Sequence, residues 1–393
     1  MTSKDARFKQ RRFLSYGHQL IDDSDIEAVV KVLKSDMITQ GPCVGEFEQN
    51  LSSYCRANYA VVFSSGTAAF HAAYFVANIK KGDEIITSPI TFLSTANAAL
   101  FLSARPVFAD IEEDTGNINP GFIKKAITKK TKAIVPVHYA GHPVHLERIS
   151  ELVQEHNLLV IEDACHALGA EYKNEKVGSC RYSDMTVFSF HPVKSITTGE
   201  GGAVLTNNKE YYKKLIMFRQ HGMTKNKADF KEFSSGDWYH EMQILGYNYR
   251  LTDIQCALGI SQLKKLDEFI QRRREIVEIY KDAFKENEFF DLLVEKNYAR
   301  SSWHLYPIRL KDRFKDKKRE IFTKLREEGL GVQVHYIPVY WQPYYRQLGY
   351  EKGICPKAED FYRKDISIPL YPSMDNEDVA YVIEKIFEVF QEA

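Results

Sequence analysis

The chain lacks the features that would place it at a membrane, outside the cell or on nucleic acid. No apolar run approaches the roughly 18 residues that a membrane-spanning helix needs. The N-terminus is polar and basic and has no apolar core of a secretion signal. None of the six cysteines (Cys43, Cys55, Cys165, Cys180, Cys256 and Cys355) forms a Cys-x-x-Cys pair. They read as reduced thiols of a cytoplasmic protein and not as a disulfide frame. Net charge is absent too, because Lys+Arg and Asp+Glu each number 53. That balance argues against a general nucleic-acid or acidic-membrane partner. No internal repeat or low-complexity tract interrupts the chain. The junction after Phe63 carries neither Gly-x-Gly-x-x-Gly nor a Walker-type loop, which counts against dinucleotide binding and nucleotide hydrolysis.

What is present is a large apolar complement, 44% of 393 residues, enough for a globular protein of more than one domain. Short apolar runs read as strands: 59–63, 84–87, 106–109, 133–137, 158–161, 185–190 and 203–205. Helical periodicity falls between several of them, including a small-residue helix from Ser94 to Leu102. Strands alternating with helices imply an α/β protein with a large, mostly parallel sheet. Residues 1–15 read as a loosely held polar segment. A helix is expected from an N-cap at Ser24, with Ile26, Val29, Val30 and Leu33 on its buried face. Residues 223–245 read as a loop, and one long helix is expected from about Thr252 to Phe284. The remaining residues alternate strand (304–310), helix (315–328), strand (332–337), short strand (366–369) and helix (376–390), a smaller α+β domain. The expected organisation is a large domain over 1–250, a linking helix over 251–285 and a C-terminal domain over 286–393.

The stretch Phe188 to Ala203 holds one lysine, Lys194, in a loop between two apolar runs, with no acidic neighbour in sequence. Burial at a strand end would lower the pKa of an amine and leave it nucleophilic, as a Schiff-base lysine requires. A snorkelling strand-end lysine fits the same residues. Earlier in the chain, Ser64-Ser65-Gly66-Thr67-Ala68-Ala69 joins a strand to a helix start, and free N–H groups there suit a phosphate. An ordinary capped helix is the alternative. Ser65, Phe92, Asp163 and Lys194 all fall at or just beyond expected strand ends, where ligands of such sheets sit. An anion site, a carboxylate and a lysine are the parts that pyridoxal phosphate (PLP) needs. His138, His142 and His145 with Cys165 and His166 offer zinc-type ligands, but His142-x-x-His145 has no second matched pair, so no metal is expected.

In this order and spacing, four segments resemble the PLP-dependent sugar aminotransferases of the DegT/DnrJ/StrS family. They are 64–69, Glu162-Asp163-Ala164-Cys165-His166-Ala167, Ser189 to Gly202, and Gly246-Tyr247-Asn248-Tyr249-Arg250-Leu251. The resemblance implies the aspartate aminotransferase (type I) PLP fold, with PLP as cofactor. It implies Lys194 as the Schiff-base lysine, Asp163 as partner of the ring nitrogen, His166 beside the ring, and Phe92 stacked on it. Gly66, Thr67 and Ser189, with Ser65 at the same turn, would cradle the phosphate. Asn248 would reach the phosphate of a neighbouring subunit, making the site a property of a homodimer. Further similarity lies in Glu171-Tyr172, the Ile-Thr-Thr insert after Lys194–Ser195, the 301–307 segment Ser-Ser-Trp-His-Leu-Tyr-Pro and the 333–340 segment Gln-Val-His-Tyr-Ile-Pro-Val-Tyr. It points to the family members that act in pseudaminic acid biosynthesis. It implies L-glutamate as amino donor and a UDP-linked 2-acetamido-4-keto-6-deoxy hexose as acceptor, with dTDP- or GDP-linked keto sugars as the alternative. Ser195, where proline is expected, and Cys165 depart from the pattern. Arg219, His221, Arg250, His335 and Tyr336 are candidates for the nucleotide diphosphate. A sugar 3-dehydratase of the same fold would carry histidine in place of Lys194, and a non-catalytic relative would show a broken Lys/Asp pair.

Overall fold

The computed structural model describes residues 13–393. Its centre is a seven-stranded sheet built from β1 (Tyr59–Phe63), β2 (Glu84–Thr87), β3 (Arg105–Phe108), β4 (Thr131–Val135), β5 (Leu159–Asp163), β6 (Met185–Ser189) and β7 (Gly202–Thr206). The spatial order is β1-β7-β6-β5-β4-β2-β3. These strands read as unbroken apolar runs because both faces of the sheet are covered. Val61 and Val204 face one core and Val62 and Ala203 the other. All neighbours run parallel except β7, which is antiparallel to both β1 and β6. The carboxyl ends of β1, β2, β5 and β6 therefore share one edge with the start of β7.

Helices α1 (Asp23–Leu33), α2 (Pro42–Cys55), α3 (Gly66–Val76) and α4 (Leu93–Phe101) precede or connect the first strands. Helix α1 starts two residues earlier than expected. Asp22, not Ser24, is its N-cap, in a reciprocal capping box with Asp25. Its buried side also differs. Asp25 and Val32 face inward, whereas Ile26, Val30 and Leu33 are exposed. The buried face is set by a polar anchor, since Asp25 accepts from Lys265 Nζ at 2.7 Å and from Gln262 Nε2 at 2.8 Å.

The expected long helix is two helices, α5 (Asp253–Lys264) and α6 (Leu266–Phe284), with the break at Lys265. No glycine or proline marks the seam. Lys265 is instead drawn back to Asp22 and Asp25 of the first helical segment. Helix α5 packs on α1 and α2. The far end of α6 supplies Ile276, Val277, Tyr280 and Phe284 to a second core. That core also contains the antiparallel strands β8 (Phe290–Leu292), β9 (Tyr306–Leu310) and β10 (Asp365–Ile368) and helix α7 (Asn376–Gln391).

Three further expectations need correction. Within the N-terminal segment, Leu14–Ser15 form a strand parallel to Leu330–Gly331, and Leu14 is buried in the second core; residues 1–12 lie outside the described residues. The span 223–245 is not wholly a loop, because Met223–Thr224 and Glu241–Met242 pair as a small hairpin. Residues 332–337 are not a strand. Only Gln333 bridges to Ser367, and the chain then bends away with His335 held by side chains instead of a ladder. Among the described residues, no helix is long and apolar enough to cross a membrane.

One backbone approach fixes the shared edge. A Cβ on Gly202 would lie 2.7 Å from Gly66 N and from Ser65 C and O, with no flexible side chain to yield. Gly202→Ala should therefore cost about 1–3 kcal/mol by overpacking. The expected result is a lower denaturant midpoint with an unchanged slope.

Candidate active site

A cleft of about 670 Å³ opens at the shared strand edge. Its floor carries Asp163, at the end of β5, and Lys194, in the loop between β6 and β7. Burial pushes the Lys194 amine below its ordinary value, partly offset by the nearby Asp163 carboxylate. A larger share of Lys194 is thus unprotonated and nucleophilic at neutral pH. The Cys165 thiol is pushed far up by the same burial and stays protonated.

Asp163 is 4% exposed, and its carboxyl oxygens meet neutral donors. Thr95 Oγ1 donates to Oδ2 at 2.6 Å and Thr91 Oγ1 lies 3.4 Å from the same oxygen. The Cys165 N–H donates to Oδ1 at 3.2 Å. The backbone is pinned as well, since Asp163 N donates to Pro136 O and Asp163 O accepts from His138 N. Neither threonine figured among the expected site residues. Their i, i+4 spacing around Phe92 was the available signal, masked by the ordinary look of a small-residue helix start.

The phosphate end is built from α3. Ser65 caps the helix through Oγ to Ala68 N at 3.1 Å. Gly66 and Thr67 occupy the first helical positions, whose N–H groups have no partner inside the helix. A Cβ on Gly66 would sit 3.1 Å from Ser189 Cβ and 3.3 Å from its Oγ. The missing side chain lets the Ser189 hydroxyl and the helix terminus converge on one point.

The upper wall comes from elsewhere. Phe92 is 58% exposed although it lines the cleft, and its ring meets Tyr336 edge-on at 6.4 Å. Tyr336 and His166 share a hydrogen bond of 3.0 Å between the hydroxyl and Nε2, while His166 Nδ1 is buried without a partner. His304 packs behind His166 with ring centroids 4.4 Å apart. Burial, with the Lys194 charge second, keeps His166 neutral, and burial does the same for His304. His335 is pushed down to about 3, also mainly by burial. Its ring Nδ1 lies 2.9 Å from Ser367 Oγ, and its backbone N–H donates to Asp365 at 2.8 Å.

The structure thus gathers Ser65, Gly66, Thr67, Phe92, Asp163, His166, Ser189, Lys194, His335 and Tyr336 around one cleft. Asn248, Arg219, His221 and Arg250 do not line it. Arg219 is engaged away from this cleft. Its guanidinium is paired with Glu48 and donates to Val62 O at 2.9 Å, which ties α2 to β1. His221 lies on the turn that bridges Gln220 to Asn248, its N–H donating to Tyr247 O, and both His221 and Asn248 are exposed. Of the zinc-type residues, His138 spends Nε2 on Glu162 at 2.7 Å and Nδ1 on the Val144 N–H at 3.1 Å. His142 Nδ1 faces Asn117 and Pro143, and its Nε2 accepts from Lys296 N.

A sheet of this topology with a lysine, a carboxylate and a helix terminus at one edge defines a PLP-type transaminase site. Residues 19–387 match the DegT/DnrJ/EryC1/StrS aminotransferase family, and the chain belongs to it. It is 42% identical over 381 residues to the UDP-4-amino-4,6-dideoxy-N-acetyl-beta-L-altrosamine transaminase of Campylobacter jejuni strain 81-176, covering 96% of this chain and 98% of the relative. The structure of Helicobacter pylori PseC, an aminotransferase of pseudaminic acid biosynthesis, superposes with a TM-score of 0.90 at 39% identity, covering 97% of this chain and 100% of the other. The PLP form of the sugar aminotransferase Spr1654 from Streptococcus pneumoniae gives 0.90 at 30% identity, covering 97% and 99%. The protein is a PLP-dependent sugar aminotransferase with the aminotransferase fold. Its residues fit the cofactor: the Gly66–Ser189 cradle suits a phosphate, the exposed Phe92 face suits a planar ring, and the unpartnered His166 Nδ1 is free to meet a polar atom.

The histidines give a pH test. A neutral buried histidine favours the folded state above its unfolded pKa, and the unfolded chain takes up the proton first on acidification. Stability conferred by a neutral His335 is therefore lost between its ordinary 6.5 and about 3. By pH 5 the loss from this one group is about 2 kcal/mol. His335→Gln should narrow its stability gap to the parent as pH falls from 7 to 5, read as denaturant midpoints. A gap that stays constant with pH counts against a neutral His335.

Proposed function

We propose that this chain moves the amino group of L-glutamate to C4 of a UDP-linked 2-acetamido-2,6-dideoxy-4-keto hexose, the step that forms UDP-4-amino-4,6-dideoxy-N-acetyl-beta-L-altrosamine on the route to pseudaminic acid. The observation that carries this reading is the full-length 42% identity to the Campylobacter jejuni transaminase, combined with a cleft that keeps both Lys194 and Asp163. When bound, PLP supplies an electron sink for the carbon that gives or receives the amine. Lys194 Nζ, made basic and available by burial, takes the α-proton of the amino donor and returns it one position away. Asp163 holds positive charge at the ring-nitrogen end by a charge-assisted hydrogen bond. Ser65, Gly66, Thr67 and Ser189 bind the phosphate, and Phe92 and His166 orient the ring. Tyr336 fixes His166 through its hydroxyl.

We further propose a homodimer with shared sites. Among the described residues, no arginine lines the cleft, and Lys194 is its one lysine. A diphosphate and the carboxylates of glutamate call for more cationic partners than that. That Asn248 is exposed and outside its own cleft, with Arg250 close by in the chain, supports a role toward a second copy. Six cysteines without a disulfide among the described residues favour a cytoplasmic setting.

Two measurements test the reading. The PLP-loaded protein should lose its visible absorption on addition of L-glutamate and regain it with the UDP-linked 4-keto sugar, and Lys194→Ala should abolish both changes. Recovery with a dTDP- or GDP-linked keto sugar alone would overturn the substrate and leave the family. For the shared site, mixing inactive Asn248→Ala and Lys194→Ala chains should restore up to about a quarter of activity by random exchange of subunits. No recovery despite verified exchange rules out Asn248 acting across the interface.

A further inference from the structure

We propose that Thr95 is a positioning residue which, by donating its hydroxyl proton to Asp163, keeps that carboxylate ionised and so keeps the proton on the ring nitrogen of the bound cofactor. The inference rests on the reading of Asp163 as the ring-nitrogen partner.

Asp163 forms no ion pair among the described residues, yet it is nearly inaccessible to water. A buried carboxylate without a cation becomes more basic unless donors hold its charge. Here the donors are neutral and few. The Thr95 contact, at 2.6 Å, falls in the short range of O–H···O⁻ bonds, whereas Thr91 at 3.4 Å and the Cys165 N–H at 3.2 Å are long. Thr95 is also the best anchored of the three. It is 1% exposed, stands third in α4, and its carbonyl accepts from the buried Tyr74 hydroxyl at 2.9 Å. Thr91 Oγ1 lies 3.2 Å from Thr95 Oγ1, close enough to donate to it and orient the Thr95 proton toward Asp163.

Helix α4 adds a second contribution. Thr95 lies in its first turn, and its N-cap, Phe92, has no capping side chain, so the partial positive charge of that helix end stands near the carboxylate that Thr95 bonds. The same turn thus presents the aromatic face for the ring and the hydroxyl for the carboxylate that meets the ring. In the ring–Asp163 pair one proton has two resting places, nitrogen or carboxylate oxygen. A hydroxyl donated to the oxygen side favours N–H⁺ with O⁻; without it the balance moves toward neutral nitrogen with a carboxylic acid. A hydrogen bond to a charged group is worth roughly a 10- to 100-fold bias in such an equilibrium.

The test uses the full chain loaded with cofactor carrying ¹⁵N at the ring nitrogen. The ¹⁵N resonance reports ring protonation independently of turnover. Parent and Thr95→Ser are expected to show the protonated-ring position, and Thr95→Val, which keeps volume but not the donor, a shift toward neutral nitrogen. The glutamate half-reaction of Thr95→Val should slow at least tenfold, with Thr95→Ser restoring most of it. If Thr95→Val does not fold, Thr95→Cys, a weaker donor of similar size, should give an intermediate resonance. A Thr95→Val or Thr95→Cys resonance identical to the parent overturns the proposal. Asp163→Asn separates the two readings: a ring that stays protonated in Asp163→Asn sinks the role of Asp163 itself, whereas a neutral ring there with a parent-like Thr95→Val sinks only the role of Thr95.

Discussion

The cleft depends on a backbone contact between two strands that run against each other. Strand β7 is the one antiparallel member of the sheet, and its first residue, Gly202, lies directly against Ser65 and Gly66. That contact sets how far the start of α3 stands from the end of β6. It thereby brings Ser189 and the free N–H groups of the helix to one point. Gly66 and Gly202 act as a pair of omissions: each lacks the side chain that would separate the segments. Lys194 sits in the loop that leads from β6 into this same start of β7, and it is desolvated there.

Around this contact the chemistry is divided by depth. The acid–base and charge-bearing groups are deep and belong to the ends of parallel strands. Asp163 is fixed by its own backbone bonds at the end of β5, while Thr95 and Phe92 come from the turn after β2. The imidazole groups of the opposite wall are kept neutral by burial, and the same burial lowers the Lys194 amine on the floor.

Much of this was legible in the sequence, for a physical reason. Strands covered on both faces read as solid apolar runs, so all seven were located to within about two residues, and the strand-end residues Ser65, Phe92, Asp163 and Lys194 lie on one edge because parallel topology puts carboxyl ends together. What failed was set by partners far along the chain. The inner face of α1 is decided by Asp25 meeting Lys265 and Gln262, some 240 residues away, which inverts an amphipathic reading based on Ile26, Val30 and Leu33. The break at Lys265 has the same cause and carries no glycine or proline to announce it. Residues 332–337 have strand composition, but their N–H and C=O groups are largely claimed by side chains such as Asp365 and Tyr139. Arg219 looked like an anion ligand, since sequence cannot show that Glu48 already holds it. Thr91 and Thr95 went unseen for the opposite reason, because a hydroxyl facing a carboxylate looks like any helix start.

The wall segment 333–337 hangs from Asp365 and Ser367 of β10, in a different core from the one that holds Lys194 and Asp163. Apart from Tyr336, whose hydroxyl holds His166, substitutions along that segment can reshape what the cleft admits while Lys194 and Asp163 stay in place. Such a division lets a lineage try new acceptors while its reaction chemistry stays constant. It also means that drift in this short stretch is where close relatives with different substrates should first diverge.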